Sequence, residues 1–129
     1  KNSGKVKLFR SHNANYKDGG QLRDFVYVKD VAEVIWFLYS SKAKNGIYNL
    51  GSGKARTFYD LASATFKALG KEVNIEFIDT PVDIRDKYQY FTEADMSKLK
   101  SQGYEKPFTT LEAGVEDYVK GYLIPGRFY

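Results

Sequence analysis

Cysteine is absent from this chain, histidine occurs once, and no long apolar run is present. Without cysteine, the protein can form neither a disulfide framework nor a thiolate metal site, and a reducing cytoplasm is a compatible location. The single histidine, His12, cannot build a zinc site alone. No stretch approaches the roughly 18 apolar residues that cross a bilayer. We therefore expect a cytoplasmic protein with no metal site and no membrane partner.

Length and charge indicate one domain without a polyanionic partner. The 129 residues, 43% of them hydrophobic, can bury one core but are too few for two ordinary domains. The 20 basic residues outnumber the 16 acidic ones, which suits an anionic ligand, but they are scattered and do not favour nucleic acid. The chain starts at Lys1-Asn2-Ser3-Gly4 without an initiator Met or a signal sequence. We expect it to begin inside a longer polypeptide.

Strand patterns occur at three places in the first fifty residues. Apolar positions over 5–10 predict a strand, and the polar run over 11–21, with its two glycines, predicts a loop. β-Branched and aromatic residues predict further strands over 24–28 and 47–50. The loop between the first two strands is suited to closing over a ligand.

Capping pairs predict two helices next to these strands. Asp30 with Glu33 is a D-x-x-E pair that indicates a helix start, and Thr57 with Asp60 is a second such pair. Gly70 suits the carboxyl end of the second helix. In the first helix, apolar residues at i, i+3, i+4 and i+7 predict one buried face, made of Val31, Val34, Ile35 and Leu38.

The remaining chain is predicted to be more irregular. Alternating residues over 73–78 indicate a half-buried strand. Thr92 with Asp95 predicts a short helix, and Thr109 with Glu112 predicts the last one. No repeat or linker divides the chain. The patterns together predict a mixed α/β (α+β) domain.

A glycine-rich turn, Gly51-Ser52-Gly53-Lys54, has two possible interpretations. It could bind a phosphate, as a Walker loop or a dinucleotide fingerprint does, or it could simply turn the chain. A Walker loop is excluded, because Lys54 is followed by Ala55 and the upstream glycine is out of register. A dinucleotide fingerprint lacks its third glycine, since Arg56 stands there, and also lacks the acidic residue about twenty positions on. The simpler interpretation is that both glycines let a strand turn tightly into the next helix.

Five motifs resemble one enzyme superfamily. The runs RDFVYVKDVA at 23–32 and NLGSG at 49–53 resemble the C-terminal part of the extended short-chain dehydrogenase/reductases, which are NAD(P)-dependent nucleotide-sugar epimerases and dehydratases. The runs KLF at 7–9, KYQYFTEAD at 87–95 and GYEKPF at 103–108 narrow the resemblance to the ADP-glyceromanno-heptose 6-epimerases of lipopolysaccharide core synthesis. The resemblance extends over nearly the whole chain.

This resemblance implies a small substrate-binding domain that lacks most of the Rossmann domain. Residues 1–129 would form one C-terminal nucleotide-sugar-binding domain, while NADP would be bound mainly by an absent N-terminal half. Enzymes of the family transiently remove a hydride from C6 of the heptose and return it to the other face. Their catalytic Tyr and Lys would lie upstream of Lys1, so the resemblance implies no catalytic residue here, and the chain alone is expected to be inactive.

The resemblance also implies which residues contact the ADP-sugar. The matching positions are Phe9, Arg10, Ser11, His12, Arg23 and Tyr88. A guanidinium offers paired N–H donors to a diphosphate, and an aromatic ring can pack on a sugar or an adenine. Each residue also has an ordinary explanation. Arg23 could be a surface residue at a strand start, Tyr88 could pack with neighbouring aromatic rings, and His12 could be solvated.

Two alternatives remain open at this point. The chain could come from a UDP- or dTDP-sugar epimerase or dehydratase, or it could be a non-catalytic binding module on the same scaffold. Its scattered carboxylates do not favour a glycosidase. The strand ending at Leu50 returns to the Rossmann sheet in the superfamily, so here it would lack a partner and leave apolar residues of the first helix exposed. We therefore expect a homo-oligomer.

Overall fold

Residues 4–127, the part of the chain that the computed structural model describes, contain both helices and strands. Lys1–Ser3, which belong to the amino-terminal segment discussed above, lie outside the described residues. The elements are β1 (Val6–Phe9), β2 (Leu22–Arg23), α1 (Val28–Ser40), β3 (Arg56–Thr57), α2 (Phe58–Ala68), β4 (Ile75–Ile78), α3 (Val82–Arg85), α4 (Ser97–Lys100) and α5 (Leu111–Tyr118), which continues as a π-helix over Val119–Leu123. The predicted mixed α/β class is confirmed.

Two small sheets organise these elements. Strand β1 pairs in parallel with β4, with Val6 opposite Ile75 and Phe9 opposite Ile78. Strand β2 pairs antiparallel with β3, with Arg23 opposite Arg56. Hydrogen bonds from the Gly19 N–H to the Phe9 carbonyl and from the Phe58 N–H to the Gln21 carbonyl bring the end of β1, the start of β2 and the start of α2 together, and the candidate site lies there. The strands predicted over 5–10 and 73–78 are confirmed, with shorter bounds.

The strands predicted over 24–28 and 47–50 are wrong. Helix α1 begins at Val28, and neither 24–27 nor 47–50 pairs with a strand within residues 4–127. A strand forms only where a neighbour accepts and donates its ladder of hydrogen bonds, whatever its side chains favour. In the segment 47–50, Tyr48 and Leu50 pack instead against the core.

The predicted helix starts have mixed outcomes. The Thr57–Asp60 capping box is confirmed, because Thr57 Oγ1 accepts the Asp60 N–H at 2.9 Å and the Asp60 carboxylate accepts the Thr57 N–H at 3.1 Å. Gly70, at φ +66°, ends this helix region as predicted. By contrast, the Asp30 cap is wrong, since the N-cap position of α1 is Tyr27, whose side chain makes no capping hydrogen bond. The Asp30 carboxylate accepts hydrogen bonds from the N–H and hydroxyl of Thr109, both at 2.8 Å.

The two later helices start one or more residues away from their predicted caps. Because Thr109 is bound to Asp30, the cap of α5 is Thr110, whose hydroxyl accepts the Ala113 N–H at 3.3 Å. Helix α4 begins at Ser97, and the carboxylate of Asp95 accepts the Ser97 N–H at 2.9 Å, so the Thr92–Asp95 box is also wrong. A tertiary contact has replaced the local cap in the first case.

Buried apolar residues lie on α2 and at the end of α5, and a core cluster lies between α1 and the segment that contains α4. Its buried members are Val34, Met96, Leu99 and Tyr104. The predicted buried face of α1 is only partly correct. Val34 is buried and Val31 and Leu38 are half-buried, but Ile35 is 61% exposed. The helix also exposes Trp36 and Tyr39, so an apolar surface remains uncovered in this chain. Within residues 4–127, no helix has both the length and the apolar character to cross a membrane.

Candidate functional site

A cleft of about 230 Å³ opens where the end of β1 meets the start of α2. Its lining residues are Lys7, Leu8, Phe9, Gln21, Phe58 and Tyr88. Half of these six side chains are aromatic. Two of the residues predicted to contact a ligand, Phe9 and Tyr88, therefore face the same cleft.

The rings of the cleft continue into a row of four aromatic side chains. The ring of Phe9 meets that of Tyr88 edge-on, with centroids 5.9 Å apart. Tyr88 meets Tyr90 in the same way at 5.7 Å, and Tyr90 packs on Tyr16 at 5.1 Å. Edge-on rings at these distances attract each other beyond the burial of area. Tyr88 thus has the packing role considered from the sequence, and its half-buried ring also lines the cleft.

The guanidinium of Arg23 lies above two rings of the cleft. Its carbon Cζ is 5.7 Å from the centroid of the Phe58 ring and 5.5 Å from that of Tyr88. Its Nη1 donates a hydrogen bond to the carbonyl of Leu22 at 2.7 Å. Arg23 forms no ion pair with a carboxylate of residues 4–127. Cation–π contacts hold a guanidinium without neutralising it, so the positive charge is available to an anionic ligand.

The next predicted residues lie beside the cleft and do not line it. Arg10 is paired with carboxylates, because its Nη1 is 3.4 Å from Asp79 and its Nε is 3.9 Å from Asp18. The N–H of Ser11 donates to Asp18 at 2.8 Å, while its hydroxyl donates to the carbonyl of residue 13. The side chain of His12 is exposed. The structure therefore brings Phe9, Arg23 and Tyr88 together, and places Arg10, Ser11 and His12 in the adjoining segment.

Two residues of the cleft were not singled out from the sequence. Gln21 is only 1% exposed, and its Nε2 donates to the carbonyls of Phe9 and Arg10 at 3.3 and 3.4 Å. Phe58 is the first residue of α2, and its ring lies below Arg23. Gln21 ends a polar loop, so no periodicity marks it as buried. Phe58 becomes predictable only once the pairing of β2 with β3 is known.

The residue after Arg23 anchors the glycine turn. The Asp24 carboxylate accepts hydrogen bonds from the Ser52 N–H at 2.7 Å, the Gly53 N–H at 2.9 Å and the Ala94 N–H at 3.0 Å, and also from the Ser52 hydroxyl. Burial raises the pKa of Asp24, but these hydrogen bonds to its ionised form outweigh burial and hold the pKa below its ordinary value. Asp24 is thus a charged structural anchor that joins three segments.

The same contacts decide between the two interpretations of the turn. The N–H groups of Ser52 and Gly53, which a phosphate would need, already donate to Asp24. Gly53 has φ +70°, a conformation that glycine adopts without strain. This turn is therefore not a phosphate cradle. The tight-turn interpretation is correct only for the turn itself, because the segment 47–50 before it is not a strand and β3 follows it before α2 begins.

Comparisons with known proteins agree with the sequence motifs. Residues 3–51 match the model of the NAD dependent epimerase/dehydratase family. A curated relative, ADP-L-glycero-D-manno-heptose-6-epimerase of Nitratidesulfovibrio vulgaris, is 52% identical over 120 residues, which are 93% of this chain. The chain spans only 37% of the length of that relative.

Solved structures show the same relationship. The structure of ADP-L-glycero-D-manno-heptose-6-epimerase from Helicobacter pylori is similar with a TM-score of 0.69 at 30% identity, over 91% of this chain and 32% of that one. UDP-glucose 4-epimerase from Thermus thermophilus, solved in complex with NAD, has a TM-score of 0.70 at 28% identity, over 90% of this chain and 35% of that one. The fold is therefore that of one part of an extended short-chain dehydrogenase/reductase. The resemblance to the ADP-glyceromanno-heptose 6-epimerases is confirmed.

Proposed function

We infer that this chain is the substrate-binding part of an NADP-dependent ADP-glyceromanno-heptose 6-epimerase, an isomerase that inverts C6 of the heptose. The observation that carries this proposal is the position of Arg23, whose charge has no carboxylate partner within residues 4–127 and lies beside the cleft that Phe9 and Tyr88 line. Such a site suits a nucleotide-linked sugar, which presents a diphosphate next to flat and apolar faces. The similarity to heptose epimerases supports ADP-heptose as the substrate.

We propose a division of labour among the predicted contact residues. Arg23 donates two parallel N–H groups to the diphosphate, which a planar guanidinium can do and a lysine cannot. Phe9 and Tyr88 pack on the sugar or the adenine. Arg10, Ser11 and His12 contact the ligand from the adjoining segment, for which Arg10 must exchange its exposed partners Asp18 and Asp79 for the ligand. Exposed ion pairs of this kind are weak enough to exchange.

The cofactor and the reacting groups are assigned to the rest of the enzyme. We propose that residues 1–129 are a single C-terminal domain, and that an N-terminal Rossmann domain carries NADP together with the catalytic Tyr and Lys. A bound nicotinamide supplies reversible hydride transfer. The glycine turn at 51–53 does not compete for the cofactor phosphates, because its N–H groups bind Asp24. We place the enzyme in the cytoplasm and in the synthesis of lipopolysaccharide core precursors.

Replacing Arg23 tests the site directly. We expect Arg23→Ala to weaken ADP binding by about 10- to 100-fold, since charge-assisted hydrogen bonds contribute about 1.5–3 kcal/mol. Isothermal titration calorimetry of the chain with ADP measures this change. Arg127→Ala is the matched control, because it removes the same charge from an exposed turn outside the cleft. An unchanged affinity in Arg23→Ala would remove Arg23 from the site.

The same titration separates the alternatives. A heptose epimerase is expected to prefer ADP and ADP-sugars, whereas a UDP- or dTDP-sugar enzyme would prefer the other nucleotides. A non-catalytic interaction module would release no heat with any of them. Absence of binding to all three diphosphates would therefore contradict the proposed function.

We also propose that the chain self-associates through the uncovered surface of α1. Ile35, Trp36 and Tyr39 are 61%, 64% and 81% exposed, and contiguous apolar surface of this kind is characteristic of an interface. Light scattering after size exclusion should show dimers or larger species, and Trp36→Lys should shift them toward the monomer. The control Val82→Lys adds the same charge at a 77% exposed site on α3 and should leave the size of the oligomers unchanged. A monomer at all concentrations would exclude this association.

A further inference from the structure

The hydroxyl of Tyr90 connects two distant parts of the candidate site. It accepts the main-chain N–H of His12 at 2.9 Å, across 78 positions of sequence. The ring of Tyr90 is held between those of Tyr16 and Tyr88, with centroids 5.1 and 5.7 Å away. Its carbonyl accepts the Leu22 N–H at 2.8 Å. One residue thus links the segment after β1, strand β2 and the segment of Tyr88.

Gln21 links the same segments from the buried side of the cleft. Its side chain donates to the carbonyls of Phe9 and Arg10, and its own carbonyl accepts the N–H of Phe58 at 3.2 Å. At 1% exposure the Gln21 amide is shielded from water, so these hydrogen bonds have no solvent competitor. Gln21 and Tyr90 therefore hold the start and the end of residues 9–12. They act together with the hydrogen bonds of the Arg10 N–H to the Ile78 carbonyl and of the Thr80 hydroxyl to the Arg10 carbonyl.

We propose that Tyr90 and Gln21 are positioning residues that fix the segment 9–12 against Arg23 and Tyr88 for binding of the nucleoside diphosphate. The proposal rests on the proposed function. A segment that is ordered before binding does not have to lose its freedom when the ligand arrives, so fixing it raises affinity without any new contact. Neither residue needs to touch the ligand, because each acts through the main chain that carries Phe9 and Arg10.

Tyr90→Phe isolates this role, because it keeps the ring between Tyr16 and Tyr88 and removes only the acceptor of the His12 N–H. With ADP as the probe, calorimetry should show about three- to tenfold weaker binding, the worth of one hydrogen bond. The His12 amide should exchange with solvent faster, as seen by NMR. The matched control is Tyr48→Phe, whose hydroxyl donates to the carbonyl of Lys44 away from the cleft. It should leave both readouts unchanged.

The outcomes distinguish this inference from the proposed function. If the wild-type chain binds no ADP, both are overturned. If it binds ADP and Tyr90→Phe binds equally well, only the positioning role is overturned, and the same holds if Tyr48→Phe weakens binding as much. Gln21→Met provides a second test of the positioning role, because methionine has a side chain of similar length but cannot donate the two hydrogen bonds. A folded Gln21→Met with wild-type affinity would exclude Gln21 from the role, and if it does not fold, Tyr90→Phe decides.

Discussion

Asp24→Ala is expected to lower the free energy of unfolding by about 3–5 kcal/mol, because it removes one charged acceptor of four hydrogen bonds. The main-chain N–H groups of Ser52, Gly53 and Ala94 would lose their acceptor together. Hydrogen bonds to a charged group each contribute about 1.5–3 kcal/mol, and donors left unsatisfied add a desolvation cost. Urea denaturation of the two proteins measures the difference.

The pH dependence of the unfolding free energy provides a second test of the role of Asp24. The pKa of Asp24 in the folded protein lies below its ordinary value of 3.8. A lowered pKa means that the stabilisation is complete above the unfolded pKa and is lost as the pH falls through the folded one. The unfolding free energy of the wild type should therefore decline in acid more steeply than that of Asp24→Asn, which cannot ionise. Denaturation from about pH 6 down to pH 2 compares the slopes.

Asp83→Asn is the control for this pair of measurements. Asp83 is exposed in α3, so its neutral variant loses the same charge without losing the hydrogen bonds of the glycine turn. Its unfolding free energy should stay within about 0.5 kcal/mol of the wild type. If Asp24→Ala is as stable as this control, the carboxylate does not anchor the turn.

Local signals in the sequence were sufficient for α2, where the two capping residues bind each other. The capping box of Thr57 and Asp60 joins residues three positions apart and needs no other element. Gly70 ends the same region by its own conformational freedom. Helix α2 was therefore predicted correctly with its start and its end.

Signals that depend on distant partners were misleading. Asp30 has the side chain of a helix cap, but Thr109, 79 positions away, takes both of its oxygens. The segments 24–28 and 47–50 have the composition of strands, yet composition does not supply the neighbouring strand that completes a ladder. Ile35 follows the helical period of the buried face, but the described chain provides nothing to cover it, and it is 61% exposed.

The candidate site was also predicted only in part. The resemblance named Phe9, Arg23 and Tyr88, and the structure brings them to one cleft from β1, β2 and the segment after α3. Gln21 and Tyr90 were missed, because their hydrogen-bond partners lie 11 to 78 positions away. No pattern in a single sequence identifies such partners. The residues proposed to touch the ligand were thus accessible from motifs, whereas those proposed to hold them in place required coordinates.

Gly51→Ala is the second change expected to have a large effect, lowering the free energy of unfolding by about 3 kcal/mol. A Cβ at this buried position would stand 2.3 Å from Oδ2 of Asp24 and 2.7 Å from the Cβ of Ala94. A flexible side chain could move away, but the Asp24 carboxylate is fixed by the turn that Gly51 itself begins. The added methyl group must therefore break hydrogen bonds to Asp24 or displace the main chain.

Gly121→Ala provides the matched control for the same chemical change. A Cβ at Gly121 would meet only Oδ1 of Asp117, at 3.9 Å, which is an ordinary contact. Since Gly121 lies in the helical continuation of α5, alanine there should be neutral or stabilise the chain by up to about 1 kcal/mol. Thermal or urea unfolding should thus show a large loss of stability for Gly51→Ala and none for Gly121→Ala. Equal stability of Gly51→Ala and the wild type would show that Asp24 can yield, and that the turn is less constrained than its four hydrogen bonds indicate.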